Sequence, residues 1–80
     1  MRVTVLYFAA MRDVCGREEE AIDASLRTTD DLRAHLESKY PALRDHRNSI
    51  RMAKNESFIV ECERLADGDV VALIPPVQGG

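Results

Sequence analysis

The chain has 80 residues, 45% of them apolar and 31% charged, with a formal net charge of −3. That composition belongs to one globular domain, near the lower size limit for a core without disulfide or metal staples, and not to a disordered segment. The acidic balance and the scattered basic residues argue against a nucleic-acid surface, and no apolar run approaches the roughly 20 residues of a membrane span. With no signal-peptide pattern either, the chain is expected to be cytoplasmic, with no nucleic acid and no membrane among its partners.

Residues 2–8 (RVTVLYF) are rich in β-branched and aromatic types and predict a first strand. Residues 9–15 predict a short helical turn stopped by Gly16, and Glu18–Ala24 a second strand, in which the glutamates 18–20 read as a solvated edge. Thr28 or Thr29 supplies a hydroxyl cap for a helix, with Asp30 and Asp31 against the positive end of its dipole. Leu32, Leu36 and Tyr40 recur on one face of that helix until Pro41 ends it. A looser segment spans 42–49. Ile50–Lys54 and Ser57–Cys62 predict short strands around Asn55-Glu56. Ala66-Asp67-Gly68-Asp69 predicts a turn, and Val70–Ile74 the last strand. Together these give an α+β domain over residues 1–74, a mixed sheet packed against one main helix. A helix crossing after a hairpin, with the final strand beside the first, is the ubiquitin-like β-grasp arrangement.

A sheet covered on one side should alternate apolar and polar residues. Three of these strands do not. With Val3, Val5 and Tyr7 inward, Leu6 and Phe8 point out; with Val71 and Leu73 inward, Val70, Ala72 and Ile74 point out; with Ile59 inward, Phe58 and Val60 point out. A bare face carrying Phe8, Phe58, Val60 and Ile74 marks a partner interface unless segment 42–49 folds over it. Arg12, just after the first strand, is either a fixed cation near this face or an ordinary solvated side chain.

No catalytic machinery is legible: there is no Gly-rich phosphate loop, no nucleophile with a base and acid, and no metal-ligand cluster. Cys15 and Cys62 are isolated thiols, read as ordinary buried cysteines, with a persulfide or redox role as the alternative. The chemistry lies at the end of the chain. Residues 75–80, Pro75-Pro76-Val77-Gln78-Gly79-Gly80, follow the last strand directly. The prolines stiffen the segment into an extended spur of about 20 Å, and two glycines make the thinnest peptide that a narrow channel can admit. A carboxylate is a poor electrophile, but its acyl-adenylate is a good one. Sulfur attack on that adenylate gives a thiocarboxylate on Gly80, and amine attack an isopeptide bond. The plainer alternative is a flexible or cut end.

Three blocks carry a resemblance: Leu6-Tyr7-Phe8-Ala9-Ala10-Met11-Arg12-Asp13, Ala53-Lys54-Asn55-Glu56, and above all Leu65 through Gly80 (LADGDVVALIPPVQGG). They resemble the molybdopterin synthase small-subunit family, the sulfur carriers of molybdenum cofactor biosynthesis. The resemblance implies a β-grasp fold and a C-terminal Gly80 that an ATP-dependent adenylating enzyme activates and a sulfur donor converts to a thiocarboxylate. Gly79 is then the channel glycine. Pro75, Pro76 and Val77 enter a large catalytic subunit, in a heterotetramer of two small and two large subunits, where two sulfurs pass to a pyranopterin precursor. Phe8, Arg12, Phe58 and Ile74 fall at its partner-contact positions. The chain itself binds no cofactor in this reading, ATP being used by the activating enzyme. Family members often carry an aromatic at Ile74 and a larger acid at Asp13. Other readings of the same tail are a diglycine carrier for thiazole or tRNA thiolation, a protein modifier joined to lysines, and an interaction module whose tail is never activated.

Overall fold

Strand β1 (Arg2–Tyr7) places Val3, Val5 and Tyr7 on one face, and all three are buried. In the computed structural model, which describes residues 1–75, Phe8 continues the ladder by donating its N–H to the Leu73 carbonyl (3.2 Å). The chain then turns through Ala9, at φ 49°, into helix α1 (Ala10–Cys15), which buries Met11 and Cys15. Gly16 closes α1 at φ 74°, its N–H reaching the Arg12 carbonyl at 2.7 Å, a left-handed cap that glycine adopts without a Cβ penalty. Strand β2 (Glu19–Asp23) returns antiparallel to β1, with Val5 opposite Glu20 and Val3 opposite Ile22.

Helix α2 (Thr29–Lys39) starts at a reciprocal cap. The Asp31 N–H donates to Thr28 Oγ1 (3.2 Å), and the Asp31 carboxylate accepts from the Thr28 N–H (3.1 Å). Its Leu32 and Leu36 are fully buried against the sheet. Pro41 opens a 3₁₀ helix, Pro41–His46, that carries Leu43 into the same core. Strands β3 (Arg51–Lys54) and β4 (Ser57–Phe58) form a hairpin, and β5 (Val70–Ile74) runs parallel to β1 and antiparallel to β3. The sheet order is β2-β1-β5-β3-β4, with α2 across one face. This is the arrangement expected from the sequence.

Four expectations need correction. Residues 57–62 form a strand only at Ser57–Phe58. Beyond it the start of α2 captures the chain: the Thr29 N–H donates to the Glu63 carbonyl (2.8 Å), the Glu63 N–H to Thr29 Oγ1 (3.0 Å) and the Leu65 N–H to the Arg27 carbonyl (2.9 Å). The segment 42–49 contains the 3₁₀ helix and packs with α2. Cys62 is exposed, unlike Cys15. Finally, Glu20 does not sit on a solvated edge.

Its carboxylate is buried, because alternation along β2 turns Glu20 and Ile22 to the helix side. There it accepts hydrogen bonds from the Tyr7 hydroxyl (2.9 Å), the Tyr40 hydroxyl (2.6 Å) and the Lys39 ammonium, with Arg17 3.4 Å away. Tyr7 and Tyr40 meet edge to face, 6.1 Å between centroids. The knot ties β1 and β2 to the end of α2 and leaves every buried side-chain polar atom among the described residues partnered.

Burial by itself would raise the Glu20 pKa, but the bonds from Lys39, Tyr40 and Tyr7 outweigh it and hold the carboxyl below its usual range. The hydrogen bond to Glu20 raises Lys39. A lowered carboxyl contributes stability that is present above its unfolded value, about 4.3, and lost as pH falls through the native one; a raised lysine contributes below about 10.4 and loses it as pH rises. The knot therefore predicts a stability plateau over the neutral range and a loss on the acid side. Glu20→Ala strands the buried Tyr7 hydroxyl and should cost about 2–3 kcal/mol, lowering Tm by about 10–20 °C. Calorimetry across pH would also show a shallower acid slope in the variant. A second stability prediction concerns the β3–β4 turn, where Asn55 and Glu56 have φ 50° and 72°. Asparagine tolerates that region and glutamate does not, so Glu56→Gly should raise stability by roughly 0.5–1 kcal/mol in urea denaturation.

Candidate functional site

The helices lie on the face that carries Val5, Tyr7, Val71 and Leu73. On the other face the outward positions of β1, β5, β3 and β4, with the β3–β4 turn, form an apolar groove of about 500 Å³, lined by Leu6, Phe8, Ala53, Asn55, Glu56, Phe58, Val70, Ala72 and Ile74. Phe8 is 44% exposed and Phe58 52%. The segment 42–49 does not cover this groove, because Leu43 packs with Leu36, Met52 and Leu73 on the helix side.

Three of the residues singled out from the sequence, Phe8, Phe58 and Ile74, are thus brought together. Two are not. Val60 is 90% exposed but faces a different cleft, beside Thr29, Arg33 and Cys62, since the chain leaves the sheet after Phe58. Arg12 lies on α1 and pairs at 3.4 Å with Glu18, both side chains being exposed. Such a pair is worth about 0–1 kcal/mol.

The sequence reading missed Arg51. It stands opposite Ile74 in the β3–β5 register, two residues from the groove residue Ala53, and its guanidinium lies 4.3 Å from the centre of the Phe58 ring. The period-2 alternation of β3 contained the signal, with Met52 inward and Arg51 and Ala53 outward.

One wall of the groove is held rigidly. The Asn55 amide donates to Asp69 Oδ1 (3.0 Å), its carbonyl oxygen accepts from the Val70 N–H (3.0 Å), and its backbone N–H reaches the Val70 carbonyl (2.8 Å). Asp69 also accepts from the Ala66 N–H at 2.8 Å, and these two donors, the backbone one first, keep its carboxyl below the usual range. The turn at 66–69 and the hairpin turn at 55–56 therefore fix each other and the start of β5.

At the other end of β5, Pro75 is half-buried in a cleft with Ala9, Ala10, Met11, His46, Ser49 and Ile50. Pro76, Val77, Gly79 and Gly80 lie outside the described residues.

Among the described residues, no group of three His, Cys, Asp or Glu side chains is placed to hold a metal, and no helix is long and apolar enough to cross a membrane. Burial, and secondarily Glu20, pushes the Cys15 thiol up to about 11, so that at neutral pH it is a protonated core group, not a nucleophile. The groove offers apolar surface with Asn55 and Glu56 at its edge and no nucleophile paired with a base. Its chemistry is that of association.

A profile of the ThiS family matches residues 5–80. The molybdopterin synthase sulfur carrier subunit of Mycobacterium tuberculosis is 41% identical over 83 residues, covering 100% of this chain and 99% of that protein. Among solved structures, the complex of subunits 1 and 2 of the molybdopterin-converting factor from Helicobacter pylori contains a similar chain, at TM-score 0.75 and 31% identity with 100% of each chain covered. The small archaeal modifier protein 1 of Haloferax volcanii matches at TM-score 0.81 and 27% identity, with 95% of this chain and 98% of that one covered.

If the groove exists for association, its aromatics contribute little to folding. Phe8→Ala with Phe58→Ala should shift the unfolding free energy by less than about 1 kcal/mol. Leu73→Ala, one residue away on the opposite face of β5, should cost about 2–5 kcal/mol. Parallel urea denaturations of the two variants check the contrast.

Proposed function

The chain belongs to the ThiS family, and on that premise we propose that it is the sulfur carrier subunit of molybdopterin synthase. One observation carries the reading. Kinship over the whole chain to curated molybdopterin synthase sulfur carriers coincides with a strand, β5, that leads from a bare apolar groove straight into Pro75 and the diglycine sequence.

In this reading the division of labour is set by what the chain lacks and what it offers. An ATP-dependent adenylating enzyme, acting in the cytoplasm, joins the Gly80 carboxylate to AMP and releases pyrophosphate. Hydrosulfide released by a sulfur donor attacks the acyl carbon, the C–O bond to AMP breaks, and Gly80 carries a thiocarboxylate. The large catalytic subunit binds the groove through Phe8, Phe58 and Ile74, and Arg12, on α1 and outside the groove, is a separate contact. Pro75, Pro76 and Val77 then lead Gly79 and Gly80 into its active site, where sulfur passes to the pyranopterin precursor and the dithiolene of molybdopterin is built. The absence of a Cβ at Gly79 and Gly80 lets the tail pass a narrow channel. The kinship with subunit 1 of the Helicobacter pylori complex supports the pairing with a larger subunit.

A second reading has its own support. The likeness to a small archaeal modifier protein favours conjugation of Gly80 to lysine amines. Both readings begin with the same adenylate and part at the nucleophile.

Intact-mass spectrometry of the chain co-expressed with its adenylating enzyme and a sulfur source separates them. The carrier reading predicts one oxygen-to-sulfur exchange localised to Gly80, and molybdopterin formation when the large subunit and precursor are added. Isopeptide-linked adducts without the exchange would favour the modifier. An unmodified Gly80, with the enzyme competent on another carrier, would overturn both. Deleting Gly79-Gly80 should abolish sulfur transfer while leaving Tm unchanged, since β5 ends at Ile74.

A further inference from the structure

We propose that Arg51 determines partner specificity by presenting a pre-oriented cation to a carboxylate of the large subunit at the rim of the groove. The inference rests on the sulfur-carrier reading and deepens it.

The geometry is the starting point. Arg51 is exposed, its guanidinium is 4.3 Å from the Phe58 ring centre, and across the β3–β5 ladder it faces Ile74, the last strand residue before the tail. A guanidinium stacked on an aromatic face keeps its edge donors directed outward and loses less freedom when they are used. Phe58 therefore serves twice, as an apolar wall of the groove and as the platform that aims Arg51.

Pairing and position together pick this residue out. Arg12 is neutralised by Glu18, Arg17 and Lys39 by Glu20, Arg47 by Glu37, and Lys54 by Glu63. Among the described residues Arg2, Arg27, Arg33, Arg44, Arg51 and Arg64 make no such pair, and of these Arg51 is the one whose guanidinium lies over a ring of the groove. The chain as a whole carries −3. A partner attracted by that net charge would be basic, so an unneutralised cation beside the apolar centre demands the opposite locally. A carboxylate answers it, and a rim of mixed sign fixes register in a way that a uniformly charged one does not.

The occupant is the large subunit and not a second copy of this chain, because Arg51 borders Ile74 and the root of the tail. A two-fold contact on this groove would set both copies of Arg51 against the same face and would cover the point from which the tail must leave. An apolar partner surface around the pair would exclude water from it, the condition under which arginines become binding hot spots.

The test uses the full chain and its large subunit, with affinity measured by calorimetry over a series of NaCl concentrations. Arg51→Met keeps the aliphatic stem against Phe58 and removes the charge; Arg51→Lys keeps the charge and removes the planar fork; Arg51→Glu reverses the charge. We expect Arg51→Met to weaken binding about tenfold at low salt with a flatter salt dependence, and Arg51→Glu to weaken it further. Arg51→Lys should recover only part of the loss; thiocarboxylation should stay at the wild-type level in all three, and Tm should fall only by the few degrees expected from losing one exposed guanidinium–ring contact. Wild-type binding with an Arg51→Met variant of equal affinity and salt slope overturns the assignment of Arg51 and leaves the carrier reading standing. A thiocarboxylated wild-type chain that does not bind the large subunit overturns the carrier reading and this inference together. Self-association of the free chain abolished by Arg51→Glu would reassign the residue to a contact between copies.

Discussion

A five-stranded sheet has two faces, and among the described residues there is helical cover for one. Everything else in the molecule follows from how that shortage is resolved. Helix α2, the 3₁₀ helix and the short α1 all bury their apolar residues on the side of Val5, Tyr7, Val71 and Leu73. The opposite face keeps Leu6, Phe8, Phe58, Val70 and Ile74 in the open. A chain selected only for solubility would place polar residues at those positions, because the period-2 geometry of a strand lets the two faces be written independently. The apolar outward residues are therefore not a by-product of the core.

The covered side shows a complementary economy. With one helix holding the sheet, the ends of that helix matter more than usual. Its start is held by the Thr28–Asp31 cap and by the backbone of Glu63 and Leu65. Its end is held by the Glu20 knot, in which a buried carboxylate collects donors from β1, α2 and the residue that follows α2. A buried carboxylate is costly unless its acceptor sites are filled, so the knot also restricts register: a one-residue slip of β2 would carry Glu20 to the other face and leave Tyr7 without its acceptor.

Much of this was legible in the sequence, and the failures have physical causes. The β1 and β5 alternation, the Thr28 cap, the Gly16 stop and the bare face with Phe8, Phe58 and Ile74 all rest on local chemistry: strand periodicity, a hydroxyl followed by acids, a glycine with positive φ. The errors fall where a distant segment decides. Residues 59–62 have strand composition, but the hydrogen bonds offered by the start of α2 draw the chain away, and Val60 goes with it. Glu20 looked like one of three equivalent glutamates, and only the packing of Tyr7 and Tyr40 distinguishes it. The alternation of β3 turns Arg51 outward, but an outward arginine is ordinary by itself; its meaning comes from the ring of Phe58 across the hairpin and from Ile74 across the ladder.

The placement of β5 has a mechanical meaning as well. The strand that continues into the tail is not at an edge but between β1 and β3, bonded on both sides. A pull on Pro75 along the strand direction loads the ladders on either side of β5 in shear, so that their hydrogen bonds must yield together and cannot be unzipped one at a time. The neighbouring β1 runs in the same direction as β5, and α1 and the 3₁₀ segment close around Pro75 at the exit. The domain is in effect a handle whose thread is anchored through its middle. A load applied at Pro75 is spread through the middle of the sheet and does not fall on an edge strand that could peel away.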